Sequence, residues 1–157
     1  MSILVEIEGK SILIEGIYGP NRDDPEFYSD ETFKRMSQWN PNHAIYTGDW
    51  NISLDPALDT LNYQNVNNPR AKAELIYKMN ELGLVDIYRE LNPTERKYSW
   101  KQWGSNKFAR LDFFLVSNSL LPFVQNTDIL PSCYSDHCPI ILDILSQNSN
   151  GERGFGK

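Results

Sequence analysis

Two short polar motifs in this chain carry side chains that could hydrolyse a phosphate ester. The first is Gly-Asp-Trp-Asn at 48–51, and the second, towards the end of the chain, is Ser-Asp-His at 135–137. Each motif borders an apolar run, which places it where a strand meets a loop. Carboxylate, amide and imidazole groups gathered at strand ends can hold a metal ion and orient a water molecule. Phosphodiester hydrolysis is therefore the leading prediction.

The spacing within the first motif would allow two side chains to orient and deprotonate one water molecule. Asp49 and Asn51 are two residues apart, so in an extended segment both side chains point to the same face. The Asp49 carboxylate could then deprotonate a water that the Asn51 amide orients, and Gly48 would permit close backbone approach to a ligand. The alternative is that both residues cap a turn, which is a common role for Asp and Asn.

Asp112 needs a partner, because it interrupts the apolar run Leu111–Leu115 of a strand that must be largely buried. A buried carboxylate without a donor or a cation is strongly disfavoured or becomes protonated. His137 could donate from one imidazole nitrogen and keep the other for a phosphate oxygen. Arg110, on the same face of the strand, is an equally good candidate from spacing alone.

Other residues have both a ligand-binding and a structural interpretation. Asp136 offers a hard oxygen suited to magnesium, although an Asp-His pair in a loop is more often structural. Tyr18 and Asn21 flank a Gly-Pro turn that could aim both side chains at one anion, although turn chemistry alone explains the Gly and the Pro. Trp100 could stack on a base, but filling the core is the more common role of a single Trp.

The composition predicts one globular domain. The chain has 157 residues, of which 40% are hydrophobic and 12% aromatic, enough for one core. No apolar run approaches the roughly 18 residues of a membrane span, so no membrane partner is expected. Cys133 and Cys138 are too few for a disulfide scaffold, and they predict free thiols in a reducing compartment.

The net charge of −6 disfavours a protein that grips nucleic acid by counterion release alone. Divalent cations bound at an acidic site would offset part of this charge locally. Basic residues also alternate with aromatic ones between Arg96 and Arg110, a composition that suits a nucleic-acid backbone track with stacking surfaces. A solvated hairpin explains the same composition equally well.

The periodicity and turn signals predict an α/β chain in which helices cover a sheet. A long Asn- and Asp-rich loop at 49–68 is expected to be functional because structureless loops of that length are uncommon. The predicted helices are Glu26–Trp39 and Pro69–Leu82, with a further turn at Leu84–Tyr88. The predicted strands are Ile3–Glu8, Ile12–Tyr18, Ala44–Gly48, Tyr98–Gln102, Leu111–Val116, Thr127–Leu130 and Cys138–Leu145.

The order of four motifs resembles that of the endonuclease/exonuclease/phosphatase superfamily of DNase-I-like phosphoesterases. The motifs are Tyr18–Asn21, Gly48–Asn51, Arg110–Asp112 and Ser135–His137. Within that superfamily, the stretch from Leu84 to Trp100 is similar to the endonuclease domain of non-LTR retrotransposons. The C-terminal segment at 153–157 is similar to the linker between that endonuclease and reverse transcriptase, although a tryptophan usual there is absent.

The resemblance implies a mixed α/β (α+β) fold, the DNase-I-like four-layered α/β-β/α sandwich. Family members begin with a strand bearing an Asn and then a Glu that is the principal magnesium ligand, and neither motif precedes Ser2. Residues 1–145 are therefore expected to be the C-terminal portion of one domain that lacks part of one sheet, and residues 146–157 a flexible tail. Weak or no nuclease activity of this chain alone is predicted, with self-association through the exposed sheet.

The resemblance also implies catalytic roles. Asp49 would be the general base on the attacking water, and Asn51 would orient that water and a phosphate oxygen. His137, held by Asp112, would stabilise charge that develops on the phosphoryl oxygens. Tyr18 would contact the scissile phosphate, and in-line displacement would leave a nick with a 3′-hydroxyl.

The implied ligands and partners follow from the same resemblance. Asp136 would help to bind Mg²⁺, with Mn²⁺ as an alternative, Asn21 would contact the scissile phosphate, and Trp100 would lie at a DNA-facing pocket. The partners would be DNA and the rest of a retrotransposon polyprotein, including reverse transcriptase. The protein would act inside the cell, in the nucleus when genomic DNA is the target. The alternatives are a noncatalytic remnant that binds DNA or protein, and a phosphoesterase that acts on another phosphate ester.

Overall fold

A five-stranded mixed sheet lies at the centre of the structure, a computed structural model that describes residues 1–63, 67–132 and 134–145. The order of strands across the sheet is β1-β2-β3-β8-β5; β2 and β3 run parallel, and the other neighbours run antiparallel. These strands are β1 (Ser2–Ile7), β2 (Lys10–Tyr18), β3 (His43–Asp49), β5 (Leu84–Asp86) and β8 (Asp112–Ser117).

Two small antiparallel sheets and several helices surround the central sheet. One small sheet has the order β4-β7-β6, and β9 pairs with β10 in the other. The small sheets contain β4 (Thr60–Leu61), β6 (Trp100–Lys101), β7 (Phe108–Ala109), β9 (Val124–Ile129) and β10 (Ile140–Ile144). The helices are α1 (Asp30–Trp39), α2 (Pro56–Asp59), α3 (Pro69–Leu82) and α4 (Ile87–Leu91), together with 3-10 helices at Pro25–Tyr28 and Asn118–Phe123.

The core has two parts because successive side chains of a strand point to opposite faces of the sheet. On one face, Leu13, Tyr46 and Leu115 pack with Phe33 of α1 and Leu75 of α3. The other face carries a second apolar cluster formed by Ile12, Ile45, Ile87, Val116 and Leu120. The predicted architecture of helices covering a sheet is therefore confirmed.

The prediction for α3 is confirmed at both ends. Pro69 occupies a first-turn position, where its missing N–H costs nothing, and Gly83 ends the helix with φ +62°. The predicted strands are also present, with bounds that differ by no more than three residues.

Three predicted elements differ from the structure, and one of them is the turn predicted at Leu84–Tyr88, which is strand β5 followed by the start of α4. The helix predicted at Glu26–Trp39 is interrupted at Ser29, whose backbone is extended between a 3-10 turn and α1. The interruption lets the Tyr28 side chain reach the core and donate its hydroxyl to the Trp50 carbonyl. The loop predicted at 49–68 contains α2 and β4, because the Asp55 carboxylate caps α2 by accepting the N–H of Ala57 at 3.0 Å.

Some predictions fall outside the part of the chain that the structure describes. The tail at 146–157 and Cys133 are not described, and the division of the chain at residue 145 stays a prediction. Cys138, which is described, is a free cysteine. None of the described helices is long and apolar enough to cross a bilayer.

Leu75→Ala should lower the free energy of unfolding by about 2–5 kcal/mol, because Leu75 is fully buried between α3 and the sheet. Urea denaturation monitored by circular dichroism measures this change. Ile76 provides a matched control in the same helix, since 38% of its surface is exposed, and Ile76→Ala should cost about 1 kcal/mol or less. Equal losses for the two variants would contradict the placement of this helix face.

Candidate active site

The pairing of β3 with β8 places Asp49 directly opposite Asp112 at one end of the sheet. Gly48, which precedes Asp49, has φ +139°, and a Cβ atom there would lie 2.0 Å from the carbonyl oxygen of Ile17 in β2. A side chain at residue 48 would therefore push β3 away from β2. Glycine at this position is a requirement of the strand end that carries Asp49.

His137 is the partner of Asp112. Its Nδ1 lies 2.8 Å from Asp112 Oδ2, and its Nε2 lies 3.8 Å from Asp49 Oδ2. Because an ionised carboxylate only accepts hydrogen bonds, Nδ1 carries the proton that it donates to Asp112. The choice between His137 and Arg110, which the sequence left open, is therefore decided in favour of His137.

Asn51 does not lie in an extended segment, and this part of the prediction is wrong. Its backbone is left-handed, with φ +49°, and its N–H donates to Asp49 Oδ1 at 3.0 Å. This turn still brings the two side chains together, since Asn51 Nδ2 lies 3.5 Å from Asp49 Oδ2 and donates to the Gly19 carbonyl at 2.7 Å. The turn-capping interpretation therefore describes the backbone, and the amide remains next to the carboxylate.

The environment of Asp49 raises the pKa of its carboxyl above the ordinary value. Burial is the largest cause, and the negative charges of Asp112 and Asp136 act in the same direction. The hydrogen bond from the N–H of Asn51 and the proximity of His137 oppose this rise. A carboxylate with a raised pKa is a stronger proton acceptor, which suits a general base.

Most of the predicted site residues line one open depression with a volume of about 540 Å³. The predicted residues along its wall are Tyr18, Asn21, Asp49, Asn51, Trp100, Asp136 and His137. Asp112 does not line the depression, but it is hydrogen-bonded to His137, which does. The structure therefore brings the four separated motifs of the sequence to one place.

The end of β2 carries Tyr18 into this depression. Tyr18 pairs with Asp49 across the parallel strands and is 74% exposed. Gly19 permits the close approach of the Tyr28 hydroxyl, because a Cβ atom there would lie 2.2 Å from it. Asn21 is exposed beyond the turn. Both side chains are therefore accessible to a ligand in the depression.

Trp100 and Asp136 also line the depression and contact each other. Trp100 Nε1 donates to Asp136 Oδ2 at 3.2 Å, and the indole packs edge-on against Tyr63 with 6.4 Å between ring centroids. Trp100 is half-buried, so it is neither a core residue nor fully exposed. One carboxylate oxygen of Asp136 accepts the indole N–H, and the role of Asp136 as a metal ligand stays a prediction.

The donor set of the site fits a hard divalent cation. Ligand atoms of Asp49, Asp112 and His137 lie within 4.8 Å of one another, the one such group within the described ranges. His137 Nδ1 is already committed to Asp112, which leaves His137 Nε2 and the carboxylate oxygens as ligand atoms. Each carboxylate accepts several bonds, and Mg²⁺ prefers oxygen ligands. A cation there would also offset the repulsion between the acidic groups.

Arg110 belongs to a buried ion network beside the site and does not contact Asp112. Its guanidinium donates to both oxygens of Asp59, at 2.8 and 2.9 Å, and to Asp86 at 2.5 Å. Asp59 also accepts a bond from Arg89 at 2.5 Å. Burial raises the pKa of Asp59, but the contacts with Arg110, the Asp55 N–H and Arg89 together hold that pKa below its usual value.

Sequence reasoning missed several residues of the site. Tyr63, Asn67 and Leu111 line the depression, and Asp59 anchors Arg110. Tyr63, Asn67 and Asp59 all lie in the long loop at 49–68, which was singled out only as a whole. Its Asn and Asp content is also typical of ordinary turns. Local sequence therefore held no signal that separated these residues from their neighbours.

Comparison with known proteins gives a consistent set of relatives. The profile of the Endonuclease/Exonuclease/phosphatase family matches residues 11–137. A DNA-(apurinic or apyrimidinic site) endonuclease 2 of Schizosaccharomyces pombe is 29% identical over 91% of this chain and 34% of that protein. An exodeoxyribonuclease of Bacillus subtilis is 27% identical over 90% of this chain and 63% of that protein. The chain thus spans between about a third and two thirds of these relatives.

A solved structure has the same fold. The AP endonuclease from Leishmania major superposes with a TM-score of 0.73, at 21% identity, over 90% of this chain and 53% of that one. The similarity confirms the predicted mixed α/β, DNase-I-like fold class.

Asp49→Asn should raise the free energy of unfolding at pH 7. Because the folded-state pKa of Asp49 lies above its unfolded value, ionisation of this carboxyl destabilises the folded state at neutral pH. The asparagine removes the charge and keeps the acceptor for the Asn51 N–H. The gain should disappear on acidification below the unfolded pKa, where Asp49 is protonated in both states. Urea unfolding at a series of pH values measures it.

Asp59→Asn should lower the free energy of unfolding by about 3–5 kcal/mol at pH 7, because it breaks a buried ion pair. The lowered pKa of Asp59 means that its stabilisation is present above the unfolded pKa of 3.8 and is lost as pH falls. The difference in free energy of unfolding between this variant and the natural chain should therefore become smaller in acid. A constant difference would contradict the assigned ion network. Asp143→Asn, at an exposed position, is the control.

Proposed function

Because the chain belongs to the endonuclease/exonuclease/phosphatase family, we propose that it hydrolyses phosphodiester bonds of DNA with the help of a divalent metal ion. The observation that carries this proposal is the meeting of Asp49, Asp112 and His137 at one open depression. Two relatives, an apurinic or apyrimidinic site endonuclease and an exodeoxyribonuclease, are by name enzymes that cut DNA. Both types of enzyme break a P–O bond by attack of water.

Asp49 is the general base in this proposal. It accepts a proton from the water that attacks phosphorus, and its raised pKa favours that transfer. Asn51, whose amide lies next to the carboxylate, orients the water and a phosphate oxygen. The buried backbone turn at Asn51 holds both groups in place, since the Asn51 carbonyl accepts from Asn67 at 3.1 Å and Asn68 at 3.0 Å.

His137 stabilises negative charge on the phosphoryl oxygens. Because Nδ1 donates to Asp112, Nε2 is the nitrogen that faces the ligand, and the protonated ring donates from Nε2 to a phosphate oxygen. Asp112 fixes the ring orientation through this hydrogen bond. Tyr18 and Asn21, which line the same depression, hold the scissile phosphate.

A divalent cation, Mg²⁺ or Mn²⁺, would be held by Asp136 together with the neighbouring carboxylates, and it would supply stabilisation of the charge that develops during displacement. Asp136 is suited to this role by its position on the wall of the depression. One of its oxygens accepts from Trp100, which orients the carboxylate.

A basic and aromatic surface next to the site supports DNA as the substrate. A second depression of about 460 Å³ shares Trp100 and Asp136 with the first one. It is lined by Arg96, Lys101 and Trp103, and Trp103 is 67% exposed. Cationic and aromatic side chains in one groove suit a sugar-phosphate backbone and stacked bases. They also compensate locally for the net charge of −6.

The finer proposal is that the chain is a piece of a non-LTR retrotransposon endonuclease, which cuts nuclear DNA in partnership with reverse transcriptase. Its support is the resemblance of the stretch from Leu84 to Trp100. Genomic sequence upstream of Met1 tests this proposal. An in-frame Asn and Glu strand pair upstream and reverse transcriptase downstream would support it, and a repair-enzyme gene would overturn it.

Self-association is proposed through the edge strand β1. Ile3, Leu4 and Ile7 are each more than 40% exposed, and β1 forms one edge of the central sheet. Exposed apolar side chains on an open edge favour pairing with another chain. Sedimentation at increasing protein concentration tests this proposal, and a monomer at every concentration would contradict it.

With Mg²⁺ and supercoiled plasmid, the chain should produce open circles slowly, and EDTA should stop the reaction. Asp49→Ala and His137→Ala should each reduce the rate by roughly 100-fold to 10,000-fold, because each removes a group that moves a proton or stabilises charge. Gel electrophoresis after long incubation measures the nicked fraction. Asp143→Asn, at an exposed position outside the depression, is the matched control.

Each other outcome of this experiment points to a specific alternative. DNA binding without any nicking would replace the proposal by a noncatalytic DNA-binding role. Nicking that survives both alanine variants would place the activity elsewhere or in a contaminant. A separate assay with a lipid or nucleotide ester tests the substrate. Phosphate release there, with no cleavage of DNA, would keep the family chemistry and change the substrate.

A further inference from the structure

Ser99 is fully buried between the two segments that carry Asp112 and His137. Its hydroxyl oxygen accepts the backbone N–H of Leu111 at 2.9 Å and that of Asp112 at 2.8 Å. These two residues lie at the start of β8, where the Asp112 side chain extends towards the imidazole of His137. One side-chain oxygen therefore satisfies two adjacent backbone donors at the residue that holds His137.

The backbone of Ser99 holds the His137 segment from the other side. Its carbonyl oxygen accepts the N–H of Cys138 at 2.7 Å, and the N–H of Lys101 donates to the Asp136 carbonyl at 2.9 Å. Trp100, between them, forms an antiparallel bridge with His137. The segment 99–101 thus lies between Asp112 and His137 and bonds to the backbone on both sides.

The same anchoring extends to the general base. The N–H of Leu111 donates to Ser99, and the carbonyl oxygen of Leu111 accepts the N–H of Trp50 at 2.9 Å. Trp50 lies between Asp49 and Asn51 in the first motif. A shift of the backbone at Leu111 would therefore move the Asp112–His137 pair and the Asp49 turn together.

We propose that Ser99 is a positioning residue for the Asp112–His137 pair. Its hydroxyl fixes the backbone that carries Asp112, and its carbonyl fixes the backbone next to His137, so one residue sets the distance between carboxylate and imidazole. Ser99 does not line the depression, and it acts only through these two residues. Its effect on cleavage rests on the proposed nuclease function, whereas its effect on the Asp112–His137 hydrogen bond does not.

Removal of the hydroxyl leaves two buried N–H groups without their acceptor. Buried donors without partners are strongly disfavoured, so the entry to β8 should shift until water or another acceptor reaches them. Ser99→Ala makes this change with the smallest loss of volume. Ser99→Thr keeps the hydroxyl and should restore the natural geometry.

Ser117 offers a matched control at the other end of the same strand. It is also a buried serine, and its hydroxyl oxygen accepts the backbone N–H of Ala44 at 3.0 Å. Ser117→Ala therefore removes a comparable hydrogen bond from β8 at a distance from the active site. A merely structural role of Ser99 predicts the same consequences for both alanine variants.

The first measurement is the NMR signal of the imidazole protons, which requires no enzymatic activity. The chain has two histidines, His43 and His137, and His137→Asn assigns their signals. In the natural chain, His137 should show an Nδ1 proton shifted downfield by its bond to Asp112. Ser99→Ala should shift or broaden this signal and leave His43 unchanged, and Ser99→Thr should retain it.

The second measurement is the rate of plasmid nicking at saturating Mg²⁺. Ser99→Ala should lower kcat by roughly 10-fold to 100-fold with little change in KM, since misplacement of a reacting group costs rate more than binding. Combined with His137→Ala, it should cause less than about a twofold further loss, because two residues that act through one interaction are not additive. Ser99→Thr should recover most of the rate.

Two results would overturn the proposal. The first is an unchanged His137 signal in folded Ser99→Ala, and the second is an equal change of that signal in Ser117→Ala. If Ser99→Ala does not fold, Ser99→Cys keeps the volume with a weaker acceptor, and the same two criteria apply to it. Absence of nicking by the natural chain, with the expected NMR shifts, would reject the nuclease function and leave the positioning role intact.

Discussion

The antiparallel register of β3 and β8 is the constraint on which the candidate site depends, because it places the carboxylates of Asp49 and Asp112 opposite each other at one sheet end. Like charges at opposed positions repel and destabilise a strand pair. Here the repulsion is partly offset by the imidazole of His137 on Asp112 and by the N–H of Asn51 on Asp49. The remaining negative charge is what a divalent cation and a general base both require.

A buried scaffold next to the site supports this charged arrangement. Arg110 lies two residues before Asp112, and its guanidinium is fixed by Asp59 and Asp86 in a buried network. Trp50, in the middle of the first motif, stacks on Phe113 with 5.2 Å between ring centroids and donates to its carbonyl. Arg110, Trp50 and Phe113 therefore fix the backbone at the site. The reactive side chains next to them in the sequence are left to act on the ligand.

Prediction from sequence succeeded where a residue carries its own local signal. Pro69 and Gly83 marked both ends of α3, since first-turn proline and left-handed glycine are properties of the residues themselves. It failed at Ser29, where a tertiary contact of the neighbouring Tyr28 with the Trp50 carbonyl accompanies the interruption of a helix-compatible sequence. Asp59 gave no signal at all, because its partner Arg110 lies fifty-one positions further along the chain.

The sequence by itself determined the chemical inventory: four ordered motifs with carboxylate, amide, phenol and imidazole groups, each bordering an apolar run. Only the tertiary structure decided which of these groups meet. It assigned His137 to Asp112 and Arg110 to the buried acids, and it gave Asn51 a left-handed turn. The reason is that residue types fix what a side chain can bond, whereas strand register and chain crossing fix which partners come within reach.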